Sequence, residues 1–393
     1  MKKKITLIYD FFSEPGGIEK VMIFQAKALQ KAGYNVRFAF AYIDKNLKKQ
    51  MLSDFKVLEY SNLPFGIRNE TLQICSSLLT NSSLSKLKDS DLVICHSFPS
   101  SFVAYRLFKG YKTPYIQFLH HHPQFLYFQK QAWANNTLKR KVAYFVGKFF
   151  GQYPRYLDKK CLKNAKKIMV NSFMVQKIIQ KIYNRKGNIH YPAVDPIFFA
   201  KPADVKSTLK KFNIPDNFIL ASGRIVKLKR FDYLVEAYAK LPEKVKQNLH
   251  IVFAGKEDEA EKESLMGLAE ELGIRNIKFL GPIDKSELHT LYSNARLVVL
   301  TCPGEYFGLV PVEAMASGTP VVSWKDNAGP QETILENITG YLARPYNAED
   351  MSKKILKTLK RKWNRRKIKE QAMKFSEPVL EKKFISEVGE IIK

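Results

Sequence analysis

The stretch Thr301–Val322, TCPGEYFGLVPVEAMASGTPVV, decides how this chain is read. It follows the apolar run Ala295–Leu300, which reads as a buried parallel strand. From Gly308 to Ala316 it then carries Leu309, Val312 and Met315 at helical spacing. A glycine-bearing turn thus opens a helix at the carboxyl end of a strand, the place where open α/β sheets bind ligands. The N–H groups of Phe307, Gly308 and Leu309 lack intrahelical partners there and are placed to face an anionic or hydroxyl-rich ligand. Glu305 and Glu313 flank the turn, and the break at Gly308 frees them from sharing a helical face, so different roles are expected.

Working outward, short apolar runs alternate with amphipathic stretches, and the alternation occurs twice, as in parallel sheets covered by helices. In the first half Ile5–Tyr9, Asn35–Ala41, Leu92–Cys95, Tyr115–Leu119 and Lys167–Val170 read as strands. Glu19–Ala32 reads as a helix closed by Gly33. In the second half the strands are Phe218–Ala221, His250–Ala254, Ile277–Leu280, Leu297–Leu300 and Pro320–Val322, with helices near Tyr233–Lys240, Glu261–Leu272 and Lys285–Asn294, the last capped by Asp284. Between the halves Pro192, Pro196, Pro202 and Pro215 interrupt the periodicity, which is a linker signal. Ser376-Glu377-Pro378 introduces a terminal helix, Val379–Ile392.

At 393 residues the chain exceeds what one core usually supports, so two domains are expected. A hydrophobic share of 45% with no low-complexity tract excludes a disordered chain. The cysteines Cys75, Cys95, Cys161 and Cys302 are scattered, with none of the paired spacings of zinc sites, and read as reduced core residues of a cytosolic protein. The opening Met1–Asp10 has too short an apolar part for a signal peptide and reads as the first strand; no stretch is long and apolar enough to span a membrane.

A net charge of +28 points to an anionic partner, nucleic acid or a membrane surface. Phe125–Lys160 interleaves aromatic residues with Lys139, Arg140, Lys141 and Lys148, the composition of an interfacial segment. A partly core-packed helical hairpin is the alternative there. The second basic cluster, Lys353–Lys369, reads as a solvated helix face.

The Thr301–Val322 block resembles the glutamate–seven residues–glutamate motif of retaining glycosyltransferases of family 4. Gly223–Asp232 is similar to that family's donor-phosphate segment, and Pro15–Glu19 to its amino-terminal glycine loop. Val170–Ser172, Tyr191–Asp195 and the His-containing stretch Leu119–Pro123 agree in order, although leucine stands where mannosyltransferase-like members carry an aromatic residue. The resemblance implies an α/β GT-B fold, two Rossmann-like domains facing a central cleft. Residues 1–195 would be the acceptor domain, 196–375 the nucleotide-sugar donor domain, and 376–393 a helix returning to the first.

By that resemblance Arg224 and Lys229 converge on the donor diphosphate, the arginine as a fork and the lysine as a point charge. Lys227 and Arg230 are expected at the rim. Glu313 binds the ribose hydroxyls and Glu305 approaches the donor sugar, without forming a covalent intermediate. Counting from the strand makes His120 the active-site histidine, whereas counting back from Pro123 makes it His121. Sequence neighbours point apart, so the histidines are not expected to hold a metal. Gly17, beside Gly16, lets the loop after the first strand approach the ligand. Asp89-Ser90-Asp91 precedes a strand and reads as an entry turn, and His96 has no evident partner.

The expected function is transfer of a hexose, mannose from GDP-mannose, to a lipid-linked or membrane-facing glycan at the inner face of the membrane, with a nucleotide sugar as donor and neither cofactor nor metal. A UDP-hexose or UDP-N-acetylhexosamine transferase is the alternative within the class. A nonenzymatic nucleic-acid-binding protein is the alternative outside it, and it leaves the glutamate motif without a purpose.

Overall fold

The computed structural model describes residues 2–13, 16–60, 82–123, 126–127 and 151–392. The chain divides into two compact units, Met1–Tyr191 with Glu381–Lys393, and Pro192–Leu380.

The first unit is a seven-stranded parallel sheet in the order β3-β2-β1-β4-β5-β6-β7. Its strands are β1 Lys4–Phe12, β2 Asn35–Ile43, β3 Lys56–Glu59, β4 Leu92–His96, β5 Tyr115–Leu119, β6 Lys167–Val170 and β7 Asn188–Ile189. The central strands are continuous apolar runs because helices cover both faces of the sheet. Ile5, Leu7, Phe38, Ile94, Ile116 and Met169 form one core with Val21, Met22 and Leu29 of helix Gly17–Lys31. Phe384 and Val388 of the terminal helix Glu377–Ile392 complete it. That helix is fixed where the Glu387 carboxylate lies 2.9 Å from the His190 Nε2, accepts from Asn188 at 2.7 Å and stands 3.3 Å from Lys167. Burial opposes the Glu387 charge, but these donors hold its carboxyl down at about 2.

The second unit is a six-stranded parallel sheet in the order β10-β9-β8-β11-β12-β13. It comprises β8 Phe218–Ser222, β9 His250–Ala254, β10 Ile277–Phe279, β11 Leu297–Val299, β12 Val321–Trp324 and β13 Gly340–Ala343. Its core joins Ile219, Ala221, Ile251, Phe253, Leu297 and Val299 to Leu234, Val235 and Met351 from the covering helices. Asp284 and Glu287 form a reciprocal capping box on helix Lys285–Asn294.

The Pro192–Asp216 stretch is more ordered than a linker reading expects. It contains a 3-10 turn, Pro196–Phe199, and helix Val205–Lys211, whose start is capped by Asp204. The prolines mark element boundaries there and not the absence of elements. Asp89-Ser90-Asp91 enters β4 as a turn. Ser90 lies in a buried network with Thr6 and Arg37, and hydrogen bonds from Lys4 and Arg37 hold the Asp89 carboxyl down at about 2 despite some burial.

Candidate functional site

In each unit the strand order reverses direction between two central strands, β1 and β4 in the first and β8 and β11 in the second. Loops leaving such a pair diverge and open a crevice at the carboxyl ends. Gly16-Gly17, Gly223–Lys229 and Thr301–Gly308 fall on these loops, whereas the histidine stretch follows β5.

In the second unit, Gly223–Lys229 leaves β8 and Thr301–Gly308 leaves β11. The Thr301 hydroxyl donates to the Lys229 carbonyl at 3.0 Å, and the Trp324 indole N–H donates to the Thr301 carbonyl at 2.7 Å, so the loops are tied to each other and to β12. The Lys229 ammonium meets the Glu305 carboxylate at 2.7 Å, each side chain about a quarter exposed (25% and 23%). Burial works against the ammonium, but Glu305 outweighs it and keeps Lys229 above the ordinary lysine range. Arg224 is exposed and has no ion pair among the described residues. The partly exposed Arg230 guanidinium chelates Asp232 at 2.8–3.1 Å and lies 4.2 Å over the Tyr233 ring.

Gly308 precedes helix Leu309–Ala316 with φ of 82°, a conformation that other residues adopt only under strain. The backbone of Glu305–Phe307 presses on Gly329, which donates to the Glu305 carbonyl at 2.8 Å; a Cβ at Gly329 would stand 2.3 Å from the Phe307 Cα. Phe307 is buried and packs on Phe375 at 5.7 Å between ring centres. The β11 loop is therefore rigid, and Glu305 and the helix start are held in fixed places.

Glu313 lies on the helix and is buried. Tyr292 donates to its carboxylate at 3.2 Å and is itself 2.6 Å from the Ser222 hydroxyl at the end of β8. Burial, then the adjacent Glu313 charge, pushes the Tyr292 phenol well above its ordinary value, so it remains a donor. The glutamates thus occupy different settings, one on the loop against a lysine and one on the helix against a phenol. Tyr292 and Ser222 escaped the sequence reading because each looks like an ordinary core residue of its element. Burial pushes the Cys302 thiol up to about 12, so it is neutral at pH 7.

In the first unit, His120 follows β5 and is buried, with its Nε2 2.9 Å from Nδ1 of His96 at the end of β4. His96, which the sequence left without a partner, therefore has one. Burial lowers His96 to about 3 and His120 well below its usual value, so both imidazoles are neutral. His121 is partly exposed, and its Nδ1 lies 2.9 Å from the His122 carbonyl. Among the described residues no group of three or more His, Cys, Asp or Glu is arranged to hold a metal.

Gly17 begins its helix at the β1–β4 divide, and a Cβ there would meet nothing within 4 Å; Pro15 lies outside the described residues. Asp10, at the carboxyl-terminal part of β1, accepts from the Ser100 N–H at 3.1 Å and the Tyr60 hydroxyl at 3.2 Å, and burial raises its carboxyl to about 7.

Of the basic aromatic segment Phe125–Lys160, residues 125 and 128–150 lie outside the described residues. Helix Gln152–Asn164 carries its end, with Tyr153 and Tyr156 exposed and Asp158 buried under the hydroxyls of Tyr127 and Tyr183. Cys95, Cys161 and Cys302 are free and buried, and Cys75 lies outside the described residues. No helix among the described residues is long and apolar enough to cross a membrane.

Comparison with known proteins agrees with this arrangement. The model for Glycosyltransferase Family 4 matches residues 15–197, and that for Glycosyl transferases group 1 matches 205–375. A D-inositol 3-phosphate glycosyltransferase of Mycobacterium leprae is 35% identical over 41% of this chain and 38% of its own length. The corresponding enzyme of Mycolicibacterium smegmatis is 30% identical over 52% and 48%. The matched part thus spans less than half of these relatives. The alpha-1,3/1,6-mannosyltransferase of Mus musculus is 24% identical over 84% of this chain and 81% of its own.

Among solved structures, Anabaena HepE in complex with UDP superposes with a TM-score of 0.77 at 18% identity, covering 99% of this chain and 100% of HepE. The sucrose-phosphate synthase of Thermosynechococcus elongatus does so with 0.77 at 20%, covering 99% of both chains. These likenesses establish the fold as GT-B. With two glycosyltransferase models meeting at the boundary between its parallel-sheet units and the glutamate motif standing on the β11 loop, the chain belongs to the family 4 glycosyltransferases.

Proposed function

We propose that the protein is a retaining glycosyltransferase that moves a hexose, mannose from GDP-mannose, onto a lipid-linked or membrane-facing glycan at the inner face of the membrane. The observation that carries this reading is the meeting of Lys229 and Glu305 at the β8–β11 divide, with Glu313 on the helix behind them. In the reaction the anomeric carbon–phosphate oxygen bond breaks and a bond to the acceptor hydroxyl forms. The departing diphosphate takes up the negative charge and the acceptor proton. Lys229 and Arg224 meet that charge, Glu305 offsets positive charge on the sugar, and Glu313 takes the ribose hydroxyls. The N–H groups of Phe307, Gly308 and Leu309 face the ligand as the helix start.

The second unit is accordingly the donor domain and the first the acceptor domain. There Gly17 and the neutral His120, with His121 as the less buried alternative, contact sugar or acceptor. No metal is needed, since fixed cations do the neutralising; activity that chelator abolishes and a divalent ion restores would overturn this. The mouse mannosyltransferase match along most of the chain favours mannose. A UDP-sugar is the second reading, favoured by the fold neighbour bound to UDP. Screening nucleotide sugars for thermal stabilisation and slow hydrolysis, then offering lipid-linked acceptors to the best donor, decides between them.

A further inference from the structure

We infer that the second unit docks on anionic lipid through the end of helix Ala348–Lys360 and the adjoining loop 334–339. This goes beyond the proposed membrane-facing reaction by assigning it a surface, and it rests on that reading. Lys353, Lys357 and Lys360 follow one another at helical spacing on an exposed face, and Arg361 and Lys362 extend the row. Lys353 has an acidic neighbour in Glu349, whereas Lys357, Lys360 and Lys362 meet no carboxylate among the described residues. Like charges at this spacing repel one another in water, and a sheet of anionic headgroups relieves that repulsion.

Beside this row stand apolar side chains that solvent alone does not explain. Leu335 and Ile338 are 37% and 45% exposed at the tip of the loop before β13. The tip is well tied: Thr339 donates to the Leu335 carbonyl at 2.8 Å, and its hydroxyl accepts from the Leu335 N–H at 2.8 Å. Arg361 fastens tip to helix by donating to the Asn337 carbonyl at 2.7 Å and the Tyr341 hydroxyl at 3.1 Å, with its guanidinium 4.9 Å over the Trp363 ring. Lys357 covers Tyr341 at 4.4 Å. A tied tip with Leu335 and Ile338 exposed, its carboxylate Glu336 answered by Lys354 at 3.8 Å and further cations beside it, fits the boundary between headgroups and acyl chains, where the apolar side chains are buried and the ammonium groups reach phosphate. Nucleic acid would answer the cations but leave Leu335 and Ile338 exposed.

The test is sedimentation of the full chain with phosphatidylcholine vesicles, with and without phosphatidylglycerol, at low and high salt. The expected result is binding only to the anionic vesicles. It should weaken about 10²-fold or more in Lys357→Glu/Lys360→Glu/Lys362→Glu, weaken also in Ile338→Asp, and survive in the triple lysine-to-arginine variant. Donor hydrolysis and the melting temperature should stay at wild-type values throughout. Equal vesicle binding by wild type and the triple glutamate variant overturns the assignment while leaving a membrane-facing reaction intact. Tight binding to a labelled DNA duplex, lost in that variant without change in vesicle binding, overturns it in favour of a polyanion surface. No vesicle binding by the wild type removes both the surface and the membrane-facing part of the proposed function, and donor hydrolysis then reports separately on transfer.

Discussion

Lys229 and Glu305, 76 positions apart in sequence, close a 2.7 Å ion pair across the β8 and β11 loops. On the proposed roles, the cation for the donor diphosphate is already engaged by the carboxylate for the donor sugar, and a diphosphate would compete with Glu305 for it. Glu305→Gln should therefore lower transfer by about 10²-fold or more while tightening nucleoside diphosphate binding by about tenfold. Calorimetry with GDP and UDP, beside transfer kinetics, checks this; a variant that loses diphosphate affinity counts against the competition.

Glu313 should behave oppositely. Glu313→Ala removes the carboxylate that Tyr292 supports, so donor affinity is expected to fall about tenfold or more with a smaller effect on turnover. Tyr292→Phe should reproduce part of the loss, because Glu313 would then lack its phenolic donor. An affinity unchanged in both variants would move the ribose site elsewhere.

Arg224→Ala should reduce transfer by about 10²-fold and leave the melting temperature alone, because the side chain is exposed and holds no ion pair among the described residues. A variant with full activity would place the second phosphate cation at another residue.

The buried imidazoles of His96 and His120 predict an acid limb in stability. Both are lowered by burial, so below about 6.5 the unfolded chain binds protons that the folded chain does not, and each costs about 1.4 kcal/mol per pH unit. Asp10 works in the opposite sense. Raised to about 7, it is protonated in the folded state and ionised in the unfolded state between about 4 and 7, so it gains stability as pH falls. Asp10→Asn should therefore destabilise more steeply than wild type from pH 7 to 5, and His96→Gln less steeply, in melts across that range. The reverse order of slopes would contradict the assignment.

Glu387 gives a lower window. Its carboxyl is held at about 2, so its contribution is complete above about 4.3 and fades as pH drops toward 2. Glu387→Gln should cost about 1–3 kcal/mol at neutral pH and speed hydrogen exchange along Glu377–Ile392. Exchange unchanged along that helix would show that its apolar contacts alone hold it.

What sequence made legible follows burial. The strands β4, β5, β6, β8 and β9 lie inside their sheets, and their apolar runs announced them. Three of the four edge strands escaped: β3, Lys56–Glu59, has no fully buried residue, β7 is two residues long, and β13, Gly340–Ala343, is a brief run among turns, whereas the fourth edge, β10, was read although it too has no fully buried residue. The site was readable where it is local, in the turn at Gly308 and the loop after β8. Its pairings were not, since His96–His120, Lys229–Glu305 and Ser222–Tyr292–Glu313 join loops and helices that only strand order brings together.

The first unit takes residues from both sides of the second, since Phe384 and Val388 belong to the core built around β1 and β2. Residues 381–393 follow the whole of Pro192–Leu380 in the chain. The part made first is completed last: until residues 381–393 have been made, the core around β1 and β2 lacks Phe384 and Val388.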